Sequence, residues 1–200
     1  FGRERAMTFD LGLRRREGAV RYEIAAYMNR YDGYIYLAPT GRTAGDEEAL
    51  PVFEFSQRDA RFHGFEASLE RSVPLAGGVL TFGAMADYVR GRLAGSGDLP
   101  RIPPLRAGIR LRFERGALGL AIAAQHAFSQ RDLAQAERPT DGYTMLNADA
   151  SCTVERGGQR WLLFLRGNNL LDDDARQHTS PLKDELPLPG RAVAAGVRLE

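Results

Sequence analysis

Apolar and polar side chains alternate with a period of two along most of this sequence. In 6–16, Met7, Phe9, Leu11 and Leu13 share one parity, while Thr8, Asp10, Gly12 and Arg14 take the other. In 19–31, Val20, Tyr22, Ile24, Ala26 and Met28 alternate with Arg21, Glu23, Ala25, Tyr27 and Asn29. In 104–114, Leu105, Ala107, Ile109, Leu111 and Phe113 alternate with Arg106, Gly108, Arg110, Arg112 and Glu114. Successive side chains of a strand point to opposite faces, so each stretch predicts a strand with one apolar and one charged or small face. The rule extends to 78–90, 117–129, 143–155 and 191–199. It blurs in 160–170, where Leu162 and Phe164 stand out of phase, and in 51–71, where Asp59, Arg61 and His63 interrupt the apolar parity of Phe53, Phe55, Phe65, Ala67 and Leu69. A bulge near His63–Gly64, or a strand extension above a membrane, accounts for the second.

This reading gives about nine strands and no convincing helix. The connections alternate between short (16–18, 74–78, 115–116, 156–159) and long (38–50, 91–103, 130–141, 171–188). Short and long connections in turn, along a strand meander, predict an all-β, antiparallel, up-and-down transmembrane β-barrel with tight turns on the periplasmic side. A soluble sandwich or lipocalin-like barrel is the alternative, since a half-buried sheet also alternates. Against it, the second face carries too much arginine and glutamate for a small packed core. The predicted strands, about 11–13 residues, also exceed the usual 5–6.

Composition removes other classes. The chain has 200 residues, 27 Lys+Arg against 26 Asp+Glu, and no basic block, which disfavours nucleic acid as a partner. Hydrophobic residues make up 44 %, too many for a disordered chain. The single cysteine, Cys152, excludes a disulfide framework and a cysteine-only zinc site. No Gly-x-Ser-x-Gly elbow, phosphate-binding glycine loop or His-Glu-x-x-His occurs, so no catalytic set is read and the chain is not expected to be an enzyme.

An odd number of antiparallel strands cannot close uniformly, and bacterial single-chain barrels have even counts. The expectation is therefore a piece of a larger barrel with strands upstream. Val197 and Leu199 call for an apolar residue just beyond Glu200, which predicts that the sequence stops one residue short of its natural end.

Several segments go beyond class. Tyr31-Asp32-Gly33-Tyr34-Ile35-Tyr36-Leu37-Ala38-Pro39-Thr40-Gly41 enters a loop, and Gln57 to Glu66 opens the next strand. Leu165-Arg166-Gly167-Asn168-Asn169-Leu170-Leu171-Asp172 comes later, followed by His178 to Asp184 and Pro187-Leu188-Pro189-Gly190-Arg191. In this order they resemble the carboxy-terminal barrel of TonB-dependent outer-membrane receptors, with zinc-uptake receptors the nearest subgroup. The resemblance spans nearly the whole chain. It implies a 22-strand barrel in the bacterial outer membrane, of which these are about the last two-fifths, with residues 1–200 a barrel portion and the plug domain absent. It implies contact with outer-membrane lipid and with the receptor's own plug, through which the TonB-ExbB-ExbD system drives transport. The function implied is active uptake of a metal ion or metal chelate, zinc or a chelate being cargo and no cofactor being required. A passive porin-like channel and an outer-membrane barrel enzyme stay open as alternatives.

Two sets of residues are candidate sites. Arg14, Arg21, Glu23, Arg106, Arg110, Arg112, Glu114, Asp149 and Glu155 share the polar parity and are expected to line the lumen, because an arginine facing mid-bilayer lipid costs about 2–4 kcal/mol. Acids gather in the long connections: Asp46, Glu47 and Glu48; Asp172, Asp173 and Asp174; Asp184 and Glu185. Asp173, Asp174 and His178 are the candidate metal ligands among them, with solvated loop charge as the plainer reading. His126 reads as an interfacial residue and His63 as ambiguous. Tyr22, Tyr34, Tyr36, Phe53, Tyr88, Phe128, Tyr143 and Trp161 fall near strand ends, as aromatic girdles require.

Overall fold

The computed structural model describes residues 1–45, 50–95 and 97–199. The acids Asp46, Glu47 and Glu48 and the chain end at Glu200 lie outside the described residues. The alternating segments become nine strands: β1 (Arg5–Arg15), β2 (Val20–Ala44), β3 (Leu50–Leu75), β4 (Gly78–Leu93), β5 (Arg106–Arg115), β6 (Leu118–Ala127), β7 (Tyr143–Arg156), β8 (Gln159–Asn168) and β9 (Ala192–Leu199). They form one sheet in sequence order, each strand antiparallel to the next. Among the described residues β1 and β9 pair with one neighbour each, so the sheet is not closed.

Register sorts the side chains. Tyr22, Leu69, Ala84, Ile109, Ala124 and Leu146 stand in one row, and Phe82, Leu111, Ile122, Ala148, Gly167 and Val193 in another. Each strand's apolar parity thus falls on one continuous face. The face is not covered: Phe9 is 66 % exposed, Ile109 55 % and Val197 61 %. The buried apolar residues among those described are only Ala60, Leu99, Ala127 and Ala175, all at the end with the long connections. A sheet that exposes this much apolar surface needs an apolar solvent on that side.

The apolar face has marked ends. Arg5 and Arg15 flank Met7, Phe9, Leu11 and Leu13 on β1, and Arg61 and Arg71 bound the same face of β3, ten residues apart in each case. Ten residues rise roughly 34 Å, and a strand tilt of about 40° turns that into roughly 26 Å, the height of an outer-membrane apolar band.

Most strands keep the predicted boundaries to within a few residues; the exceptions are the loop ends of β2 and β3. Of residues 38–50, expected as a long connection, those up to Ala44 belong to β2 and Leu50 opens β3. β2 and β3 run on together to Ala44 and Leu50 as a two-stranded ribbon, while β1 pairs β2 only as far as Asp32 and β4 pairs β3 only from Ala60. Of the two accounts of 51–71, the extension holds. Pairing is continuous through His63 and Gly64, and the irregularities lie on β2, one between Tyr31 and Tyr34 and one further out between Pro39 and Thr43. At the first, Asp32 and Gly33 stand against Asp59, with Gly33 at φ +71° and its N–H bonded to the Asp59 carboxylate at 2.8 Å. One extra residue reverses the parity of the strand beyond it.

The out-of-phase aromatics also find a cause. Phe164 lies over Gly196 on the polar face, and the Tyr27 ring covers Gly64 there. A Cβ at Gly64 would meet the Tyr88 carbonyl oxygen and the Tyr27 phenol. Because one of those atoms is backbone, Gly64→Ala is expected to destabilise the full-length protein by about 1–3 kcal/mol, read as a lowered thermal midpoint. An unchanged midpoint would refute this packing.

Candidate functional site

All nine residues expected to line the lumen lie on the polar face, as register shows. Arg14 stands opposite Glu23. Arg21 pairs with Glu70 at 2.9 Å, and the same row continues through Gly83 to Arg110. Arg106 holds Asp87 at 2.9 Å, Arg112 holds Glu114 at 3.2 Å, and Asp149 holds Arg166 at 2.7 Å. Glu155 faces Arg160 at the turn end of β7 and β8. Most of these pairs are about half exposed, so each contributes little to stability. Their side chains are left with hydrogen-bonding capacity for a further partner.

The expected metal ligands are not brought together. Asp173 accepts the Thr144 N–H at 2.8 Å and also donates its own N–H to Asn169 Oδ1. Asp174 pairs with Arg176 at 3.2 Å and points to solvent. His178 is buried, one ring nitrogen 2.9 Å from the Thr140 hydroxyl and the other 3.1 Å from Glu137. Among the described residues no three His, Cys, Asp or Glu side chains form a group able to hold a metal ion.

What the loop does instead is join its neighbours, through a residue sequence reasoning passed over. Glu137, in the connection between β6 and β7, is 6 % exposed. Its Oε1 accepts the Arg101 N–H at 2.8 Å, from the β4–β5 connection, and lies 3.3 Å from the Lys183 ammonium, from the β8–β9 connection. Its Oε2 accepts the Ala134 N–H at 3.1 Å. Burial alone would push this carboxyl up; the hydrogen bonds from His178, Arg101 and Ala134 and the charge of Lys183 outweigh it and hold the pKa at about 2. Lys183 also donates to the Arg138 carbonyl at 2.7 Å. Arg101 and Ala136, beside this carboxylate, are held at φ +58° and +63°, a region non-glycine residues rarely take. The Asn-Leu-Leu-Asp element is a second tie. Asn169, fully buried at φ +45°, donates to the Asp173 and Pro189 carbonyls.

The bulge at Asp32 and Gly33 rearranges the aromatics. It puts Tyr34 and Tyr36 on the polar face, not the apolar one a girdle requires. Tyr34 there meets Tyr31 at 5.1 Å and Phe62 at 5.2 Å, edge to face, and stacks on Tyr36 at 6.4 Å. Tyr143 lies on the polar face too, in the row of Ala127 and Arg106. Tyr22, Tyr88 and Trp161 keep the expected side. His126 faces the apolar side, bonded to Thr144 at 2.9 Å and edge-on to Phe128 at 4.6 Å, as an interfacial residue would be.

The fold has a close counterpart. The solved structure of a protein named copper transporter OprC superposes on 97 % of this chain with a TM-score of 0.82 at 20 % sequence identity. The chain spans 31 % of that structure's length. The family model described as TonB dependent receptor-like, beta-barrel matches residues 2–170. With nine meandering strands, one face apolar and one charged, the chain belongs to the TonB-dependent receptor β-barrel family of the bacterial outer membrane.

Proposed function

We propose that this chain is part of a receptor that actively imports a metal ion or metal chelate, and that its polar face lines the import path. The observation that carries this is a face of charged, polar and small residues running across nine strands opposite a continuous apolar one. A wet lumen suits it, and facing lipid it would be costly at every arginine. The family is one of transport receptors, and the chain is not an enzyme. In this reading Arg14, Arg21, Glu23, Arg106, Arg110, Arg112, Glu114, Asp149 and Glu155 meet a plug domain supplied by another part of the receptor, and TonB, energised by ExbB and ExbD, acts through that plug. Metal as cargo is supported by the likeness to a protein named as a copper transporter and by the sequence resemblance to zinc-uptake receptors.

The test is uptake of radiolabelled copper and zinc by cells carrying the full-length receptor, with and without TonB. The expected result is uptake of one metal above the receptor-less background, falling to background when TonB is deleted. Uptake that persists without TonB would instead identify a passive channel.

A further inference from the structure

Three connections meet around a half-enclosed cavity of about 140 Å³ at the loop end of the sheet. Arg106 from β5 and Arg176 from the β8–β9 connection both line it, with Tyr143 from β7 beside them. Two guanidiniums on one small cavity favour an anion there. Their own acids occupy only part of each. Arg106 spends Nε and Nη2 on a single oxygen of Asp87, both at 2.9 Å, and its Nη1 has no partner among the described residues. Arg176 spends Nε on Asp174 at 3.2 Å and Nη1 on the Lys183 carbonyl at 3.0 Å, and its Nη2 has none among them. The acid of the lining, Asp141, is 89 % exposed and paired with Arg131 at 2.6 Å.

Size and lining decide what the cavity takes. Sites for whole drug-sized molecules run about 300–1,000 Å³, so this one suits a single charged group. The prolines of the lining, Pro103 and Pro104, have no N–H to offer. Donors come instead from the two guanidiniums, the half-buried Tyr143 hydroxyl, the Gln177 amide and the Thr179 hydroxyl. Guanidinium forks pair with carboxylate and phosphate oxygens two at a time. The site is also preformed: Thr140 and His178, in the same lining, are buried and bonded to each other at 2.9 Å. We propose that Arg106 and Arg176 together bind one oxyanion group, a carboxylate or a phosphate, with Tyr143 donating a further hydrogen bond. Bound there, the group ties β5 to the β8–β9 connection. This goes beyond the import reading and depends neither on the transported metal nor on TonB.

The test titrates the full-length receptor, purified in detergent and free of metal, with inorganic phosphate and with citrate in a calorimeter. Both are expected to bind and to compete with each other. Arg176→Gln and Arg106→Gln are each expected to weaken binding by about tenfold or more, and raised salt to weaken it in the unsubstituted receptor. Tyr143→Phe, which removes one hydroxyl, is expected to cost a few-fold. Arg131→Gln, a loop cation outside the lining, is expected to leave binding unchanged. Folding of each variant is checked by its heat-modifiable migration. The proposal is overturned if the unsubstituted receptor binds neither anion, or if folded Arg176→Gln and Tyr143→Phe bind them like the parent. It is equally overturned if Arg131→Gln loses as much as Arg176→Gln. Zinc citrate as competitor distinguishes the sources, and either result sustains the site: displacement of phosphate assigns the group to a metal chelate, and no displacement assigns it to a free anion. Binding is read without uptake, so its failure is distinct from a failure of the import reading.

Discussion

Replacing Glu137 with alanine in the full-length receptor will loosen three external connections at once. The carboxylate is the meeting point of Arg101 from one connection, Ala134 from its own, and His178 and Lys183 from a third. Its removal leaves Lys183, only 7 % exposed, as a buried charge without its carboxylate, and two backbone N–H groups without acceptors. Breaking one side of a buried ion pair costs about 3–5 kcal/mol. The expected readout is faster amide exchange and protease cleavage across residues 94–105, 128–142 and 169–191 together, with the transmembrane strands still protected. Protection lost in the middle connection alone would show that the carboxylate does not couple them. Acid should act in the same direction. The folded pKa, about 2, lies below the ordinary 4.5, so the stabilisation is complete above about pH 4.5 and fades as pH falls toward 2. Loop opening in the unsubstituted receptor should therefore rise across that window, and in Glu137→Ala it should not.

The second large effect separates the two faces at adjacent positions. Ile122 is 45 % exposed in the middle of the apolar face, between Leu111 and Ala148. Its neighbour Ala121 lies on the other face, between Arg112 and Asp149. Ile122→Arg places a charge in mid-bilayer hydrocarbon and should cost about 2–4 kcal/mol in folding the full-length receptor into bilayers. Ala121→Arg adds an exposed cation between Arg112 and Asp149, whose opposite charges offset each other, and should cost under about 1 kcal/mol. Denaturant titration in lipid vesicles measures both. Equal costs at the two positions would mean that the assignment of faces is mistaken.

Much of this architecture is legible along the chain because a membrane strand is ruled by local period. The parity of Leu118, Leu120, Ile122 and Ala124 states which side meets lipid before any partner strand is known. Where the apolar parity broke at Asp59, Arg61 and His63, the break itself marked the rim of the membrane. The placement of Tyr34 and Tyr36 was lost for a related reason: one extra residue at Gly33 reverses every side chain beyond it, and only the partner strand reveals the slip. The Asp32-Gly33 dipeptide, a turn and bulge signal inside a strand pattern, was the available signal. Glu137 could not be read at all. Its partners are 36 and 46 residues away, and a lone glutamate among Ala136 and Arg138 looks like any solvated loop acid. The gathering of loop acids with His178 misled in the opposite direction, since proximity in sequence says nothing about where each side chain's lone pairs are spent.

The ribbon formed by the far halves of β2 and β3 has a mechanical corollary. Two strands alone are marginally stable in water. This pair is braced at its root, where Gln57 bonds to the Gly2 and Gly33 carbonyls and Glu4 takes the Ile35 N–H. Beyond Asp32 on β2 and before Ala60 on β3 the two strands pair only with each other, and above the root their other contacts come from Arg101, stacked on Phe53 at 5.7 Å, and Ala136, beside Gly41. Such an arm is held at two levels, at the Gly33 kink below and by the β4–β5 and β6–β7 connections above. The ribbon's root thus packs beside the ring cluster of Tyr31, Tyr34 and Phe62 on the polar face, so the length of the arm and the order of those rings depend on the same short segment.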